Sequence, residues 1–138
     1  MWIDAQPEYF MDNLTSEFKS KSGLRRILSA FFNSADGFKA AWRHEHAFRQ
    51  ELVVVVIATA VALSLPVSAF QKLVLIGVLV LVLIVEIINS ALEAVVDRIS
   101  LERHPLSKNA KDLGSAAVAL AIGLAAATWC VVLYNRYF

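Results

Sequence analysis

Three apolar stretches, Leu52 to about Phe70, Leu73 to about Val96 and Leu113 to about Leu133, occupy nearly half of this 138-residue chain. Each comes close to the roughly 20 residues that a helix needs to cross the hydrocarbon layer of a bilayer. Backbone amides find no water there, so a single crossing segment must satisfy its own hydrogen bonds, and the α-helix is the way it does so. With 58% hydrophobic residues and a positive mean hydropathy, the chain carries more apolar surface than one small soluble core can bury. The expected fold is all-α: an integral membrane bundle of three transmembrane helices. The first span is the least regular, because Ser64, Pro66 and Ser68 interrupt its end. A helix can run through Leu65, with the remainder at the interface.

Charge orients the spans. Lys19, Lys21, Arg25, Arg26, Lys39, Arg43 and Arg49 precede span one, only Lys72 lies between spans one and two, and Arg98, Arg103, Lys108 and Lys111 lie between spans two and three. The positive-inside rule puts the N-terminus and second loop in the cytoplasm, the first loop and C-terminus outside. Trp129, Tyr134, Tyr137 and Phe138 suit an outer aromatic belt and Trp42 an inner one. Residues 1–22 mix acids, Pro7 and polar residues with no apolar core of the kind a cleavable signal needs, so residues 1–23 read as a mobile or weakly helical tail. From Leu24 the pattern becomes helical: Leu24, Ile27, Leu28, Phe31, Phe32, Ala35 and Phe38 share one face and Arg25, Arg26, Asn33, Asp36 and Lys39 fill most of the other. That is an amphipathic helix for the headgroup plane, over about 24–50, loosened at Gly37. The membrane domain covers 24–138, with spans at about 52–70, 73–97 and 112–134. The loop from Ser100 to Asn109 centres on His104-Pro105, and Ser107 is a candidate start for the third helix.

A net charge of +1 carries no case for nucleic acid. The single cysteine, Cys130, forms neither an intrachain disulfide nor a zinc site and reads as a packing residue. His44 and His46 point to different faces of a helix and make no metal pair. The small residues Gly114, Ala116, Ala117, Gly123 and Ala125 to Ala127 permit close helix packing.

The polar residues of span two carry the functional signal. Glu86, Asn89, Glu93 and Asp97 follow the apolar run without a turn between and fall within roughly 60° of one another around the helix. Carboxylates in lipid cost roughly 2.5 to 3.5 kcal/mol each on insertion scales, so they are kept for chemistry, ions or helix partners. Measured from Leu73, Glu86 stands about 20 Å along the helix, Glu93 about 30 Å and Asp97 about 36 Å, a climb from lipid toward cytosolic water. Glu86 and Glu93, about 10.5 Å apart along the axis, have separate roles. Glu93 can hold a hard cation such as Mg²⁺ with a second oxygen donor, for which Glu45 is best placed, and Glu86, the drier, has the chemistry to take a proton from an alcohol. Neither a P-loop nor a protein-kinase glycine loop is present, so any phosphate site is built from other parts: Lys111 and Asp112 at a helix start, and Arg26. The same stripe also suits polar packing between helices, or an ion pathway.

The segment Glu86-Ile87-Ile88-Asn89-Ser90-Ala91-Leu92-Glu93-Ala94-Val95-Val96-Asp97-Arg98 resembles the signature of the prokaryotic diacylglycerol kinase family, small three-span membrane enzymes. Ala40-Ala41-Trp42, Glu45, Ala47 to Glu51, Lys111 to Val118 and Thr128-Trp129-Cys130 extend the likeness, in order, from about Leu24 to the C-terminus. The resemblance implies phosphorylation of diacylglycerol by MgATP, in a homotrimer with composite active sites between subunits at the cytosolic face of the bacterial inner membrane, the C-terminus being periplasmic. It implies Glu86 as general base and Glu45 and Glu93 as ligands of the Mg²⁺ that accompanies ATP. Nucleotide contacts would come from Arg26, Asn33, Glu45, Asn89, Glu93, Asp97, Glu102, Arg103, His104, Lys111 and Asp112. Lipid contacts would come from Arg26, Ala30, Phe31, Lys39, Trp42, Ala47, Phe48, Arg49, Gln50, Glu51, Glu86, Ser115 and Trp129. The chain departs from the family pattern at Ser29, Asn33 and Lys39. Undecaprenol is the alternative acceptor within the family, and a small transporter or a membrane scaffold are the alternatives outside it.

Overall fold

The apolar segments all form helices, and in the computed structural model, which describes residues 23–99 and 104–138, almost nothing else is present. Four helices follow in order: α1 (Gly23–His44), α2 (His46–Ser64), α3 (Ala69–Ile99) and α4 (Pro105–Tyr137). Three of them, α2, α3 and α4, are long and apolar enough to cross a membrane. The chain divides into two compact units between Phe38 and Lys39. In the first, the described residues are the helical turns of α1 up to Phe38, where Leu24, Ile27, Leu28, Phe31, Phe32 and Phe38 are exposed and the Phe31 and Phe32 rings meet edge to face at 6.1 Å. Ser34 Oγ donates to Ala30 O at 2.9 Å, which keeps that hydroxyl satisfied within the helix.

The second unit holds the spans. Residues 1–22 and 100–103, including the tail, Glu102 and Arg103, lie outside the described structure. Helix α1 passes through Gly37, where loosening was expected, and ends at His44, six residues short of the expected 50. Glu45 is extended instead, at φ −105° and ψ 111°. Arg49 fixes this corner. Its Nη1 donates to the carbonyls of Trp42 at 2.7 Å and Arg43 at 3.3 Å, and its Nη2 lies 2.8 Å from His46 Nδ1. The last carbonyls of α1, left over by the helix itself, are thereby paired.

Span one ends at Ser64, well before Phe70, because Pro66 drives Leu65 into extended backbone at ψ 139°. Lys72 Nζ closes the end of α2 by donating to Leu63 O at 2.6 Å. Ser68 and Gln71 then start α3 as a reciprocal capping box: Gln71 N donates to Ser68 Oγ at 3.2 Å and Ser68 N to Gln71 Oε1 at 2.9 Å. The third span begins at Pro105, ahead of both Ser107 and the expected 112. His104 Nδ1 accepts from Leu106 N at 3.2 Å, and a proline in the first turn sacrifices no hydrogen bond.

Helix α3 is central and packs on both α2 and α4. The buried positions of α2, Phe48, Val55 and Ala62, recur every seven residues, which holds one face toward a neighbour. Those of α3, Leu75, Leu79, Val82 and Glu86, follow with alternating steps of four and three. Val82 meets Ala121 and Ala125 of α4, with Val78 and Val85 packed around them. Alanines at that crossing bring the two backbones close. Trp129 Nε1 donates to Leu75 O at 3.3 Å, so this tryptophan, expected at the outer interface, ties the late part of α4 to the early part of α3.

Candidate active site

The apolar seam of α3 turns polar at Glu86. This carboxylate takes the seam position after Val82 and is 4% exposed, the one buried charged residue among those described. Glu93 and Glu45 are near enough to act electrostatically on it, and it in turn on Glu51, though the four do not close into one cluster. One turn beyond Glu86, Asn89 Nδ2 donates to Glu93 Oε1 at 3.2 Å. Near the end of α3, Asp97 Oδ1 receives Lys111 Nζ at 2.6 Å from the early turns of α4. The sequence stripe is thus one physical ladder, with Lys111 brought to it from a different helix.

Lys111 and Asp112 do not act as a pair. Neighbours on a helix point about 100° apart, and Asp112 is bonded to Lys108 at 2.5 Å on the exposed side of α4. Ser115 is exposed on the same helix. Of the expected lipid contacts on α2, Phe48 is buried at 3% exposure and belongs to the core, and Arg49 is committed to the corner carbonyls. Ala47 and Gln50 are exposed, as are Lys39 and Trp42 on the last turns of α1. Arg26, Ala30, Phe31 and Asn33 are exposed on α1 in the first unit. His104, expected near the nucleotide, serves as the cap of α4.

Glu51 is the residue whose surroundings were least visible in the sequence. Its Oε2 is buried with no hydrogen-bond partner among the described residues, beside Glu86. The available signal was its place six residues after Glu45 at the start of an antiparallel span. Among the described residues no lysine or arginine is paired with Glu45, Glu86 or Glu93. Carboxylate oxygens are the donor type a hard divalent cation prefers, but among the described residues no three acidic, histidine or cysteine side chains come together as a metal-binding group, so these residues alone do not form a complete Mg²⁺ site.

The family profile described as prokaryotic diacylglycerol kinase matches residues 32–133. The chain belongs to that family. A diacylglycerol kinase from Pseudomonas aeruginosa is 52% identical over 118 residues, covering 86% of this chain and 96% of that protein. One from Escherichia coli K12 is 51% identical over 116 residues, 84% and 95% of the two chains, and one from Haemophilus influenzae is 36% identical over 113 residues, 82% and 96%. Within the kinase family's matched segment fall Glu45, Glu51, Glu86, Asn89, Glu93, Asp97, Lys111, Asp112 and Ser115, whereas Arg26, Ala30 and Phe31 precede it. The chain is a multi-pass membrane protein of a kinase family, with its polar ladder inside the segment that defines that family.

Proposed function

We propose that this protein transfers the γ-phosphoryl group of ATP to the free hydroxyl of 1,2-diacylglycerol, giving phosphatidate and ADP. The observation that carries the reading is Glu86, 4% exposed on a membrane-crossing helix whose next turns carry polar groups in unbroken order to the helix end. A diacylglycerol hydroxyl lies at the lipid surface and ATP in water, and few reactions need one helix to serve both. The half-identical diacylglycerol kinases support the same assignment.

In this mechanism Glu86 accepts the proton of the lipid hydroxyl as the oxygen bonds to the γ-phosphorus. The bond from that phosphorus to the β–γ bridging oxygen breaks, and its electron pair leaves with ADP. Asn89 orients Glu93 through their hydrogen bond, and Asp97 holds the Lys111 ammonium toward the phosphates. Mg²⁺, held by Glu45 and Glu93, would neutralise phosphate charge when bound. Most of the acceleration comes from positioning and electrostatics, since phosphoryl transfer leaves the protein little covalent chemistry to do. On this reading the protein works as a homotrimer with shared active sites in the bacterial inner membrane, its N-terminus cytoplasmic and its C-terminus periplasmic. The cation asymmetry of the loops supports that orientation.

The deciding experiment is transfer of labelled γ-phosphate from MgATP to diacylglycerol by the purified protein in mixed micelles, with undecaprenol as a parallel acceptor. Labelled phosphatidate is expected, and Glu86→Gln lowers kcat by about 10²- to 10⁴-fold. Faster transfer to undecaprenol would overturn the acceptor, and full activity in the variant would overturn the base.

A further inference from the structure

We propose that Gly114 is a positioning residue for this reaction: its missing side chain lets α4 close on Asn89 and hold that amide where it donates to Glu93. The inference rests on the kinase reading of the site. It begins with the direction of the amide. Asn89 Nδ2 donates to Glu93 Oε1 at 3.2 Å, and turning the amide over would set two acceptor oxygens against each other. Oδ1 is therefore fixed on the far side, where it is buried and has no hydrogen-bond partner among the described residues.

What Oδ1 faces is the backbone of α4. A Cβ built on Gly114 would overlap Oδ1 and would stand 3.2 Å from Asn89 Cγ and 3.4 Å from Leu92 Cδ2. At Gly23, Gly37, Gly77 and Gly123 the same addition meets nothing within 4 Å. Gly114 is thus the one glycine whose empty Cβ position another side chain occupies. Its α-hydrogen on that side points at Oδ1, a weak contact that still favours the observed amide direction.

Which group yields to a methyl decides the consequence. Oδ1 is the end of a short, rotatable side chain. The two helix backbones are held by Val82 against Ala121 and Ala125 on one side and by the Lys111–Asp97 ion pair, one turn from Gly114, on the other. A methyl at position 114 swings the amide before it parts the helices. Asn89 then leaves Glu93 while the bundle persists, and the effect is on the reaction more than on the fold.

The test uses the full chain in mixed micelles as wild type, Gly114→Ala, Asn89→Ala and the double variant. Gly114→Ala is expected to lower kcat by about 10- to 100-fold, the scale of a misplaced active-site group. Its KM for diacylglycerol stays unchanged, its unfolding midpoint stays near that of wild type, and the Asn89 side-chain amide resonance in a ¹⁵N spectrum shifts. Added to Asn89→Ala, the same methyl changes neither kcat nor the midpoint, because the space it needs is already open. Wild-type kcat in Gly114→Ala overturns the proposal, as does an equal fractional loss of kcat in both backgrounds. The comparison with the double variant decides even where the single variant folds poorly. Absence of phosphate transfer by the wild type would sink the kinase reading, while the Asn89 amide resonance, shifted or unmoved in Gly114→Ala, would still decide whether Gly114 holds Asn89.

Discussion

Glu86 and Glu93 stand two turns apart on α3, and the environments the fold gives them differ: the first is enclosed at the end of an apolar seam, the second is half-exposed and accepts a hydrogen bond from Asn89. Burial removes Glu86 from competing water, while partial exposure leaves Glu93 in reach of it, the difference on which the proposed roles of base and metal ligand rest. In the proposed mechanism Glu93→Gln removes one charge and one ligand of the Mg²⁺. The expected outcome is a higher Mg²⁺ concentration for half-maximal rate together with lower turnover, read from initial rates across an Mg²⁺ titration at fixed ATP; an unchanged titration would reject the metal role. The stripe itself was legible because residues spaced three, four and four apart must share a helix face. The exposure of each was not, since it depends on how α2 and α4 lie against that face. Glu51 shows the difference: its sequence position says that it begins a span, and only packing leaves Oε2 buried and unpartnered beside Glu86.

At the scale of elements, the corners are where side chains do what the helices cannot do for themselves. Arg49 covers the end of α1, Lys72 the end of α2, Ser68 and Gln71 the start of α3, and His104 the start of α4. A lysine reaching back to a terminal carbonyl also sets its positive charge at the negative end of the helix dipole. The capping box lies at the opposite end of α3 from the carboxylate ladder. Replacing both Ser68 and Gln71 by Ala is therefore expected to lower stability by about 1 kcal/mol, seen as a lower thermal midpoint, with kcat at the wild-type value. Helix existence and order were legible from apolar length, but the ends were displaced wherever a cap was misjudged. Proline was read as a loop centre where it opens α4, and Gly37 as a loosening of a helix that neighbouring turns carry through without interruption. The break came at Glu45, whose corner is held by an arginine four residues further on, a pairing no local propensity encodes.

At the scale of the whole molecule, the apolar surface is mostly turned outward: Val53, Val54, Val56, Ile57, Leu73, Ile84, Ile88, Val95, Leu113, Leu120 and Val131 are all exposed on the three spans. In water such a surface would drive association, whereas in a bilayer lipid tails cover it and helices meet through small residues and polar groups. The polar ladder is the part that lipid cannot cover. The proposed homotrimer would complete that ladder with groups from a second subunit. For shared sites in a homotrimer, co-purified mixtures of Glu86→Gln and Glu93→Gln subunits should regain activity that neither variant shows alone. Failure of mixed assemblies to exceed the separate variants, with mixing verified by mass spectrometry of 15.2 kDa subunits carrying distinct tags, would place each site within one chain.

The sequence by itself determined that the chain is all-helical with three helices long and apolar enough to cross a membrane, and that one of them carries an acidic face at one end of its apolar run. These follow from length, hydropathy and a period of 3.6, all local properties of a chain whose surroundings are fixed by the bilayer. Tertiary structure alone decided that Lys111 belongs with Asp97, that Phe48 is core, and that Gly114 is where Asn89 rests. Each of those depends on the rotation and approach of one helix against another. A periodic pattern leaves that undetermined until small residues, seams and corner caps fix it together.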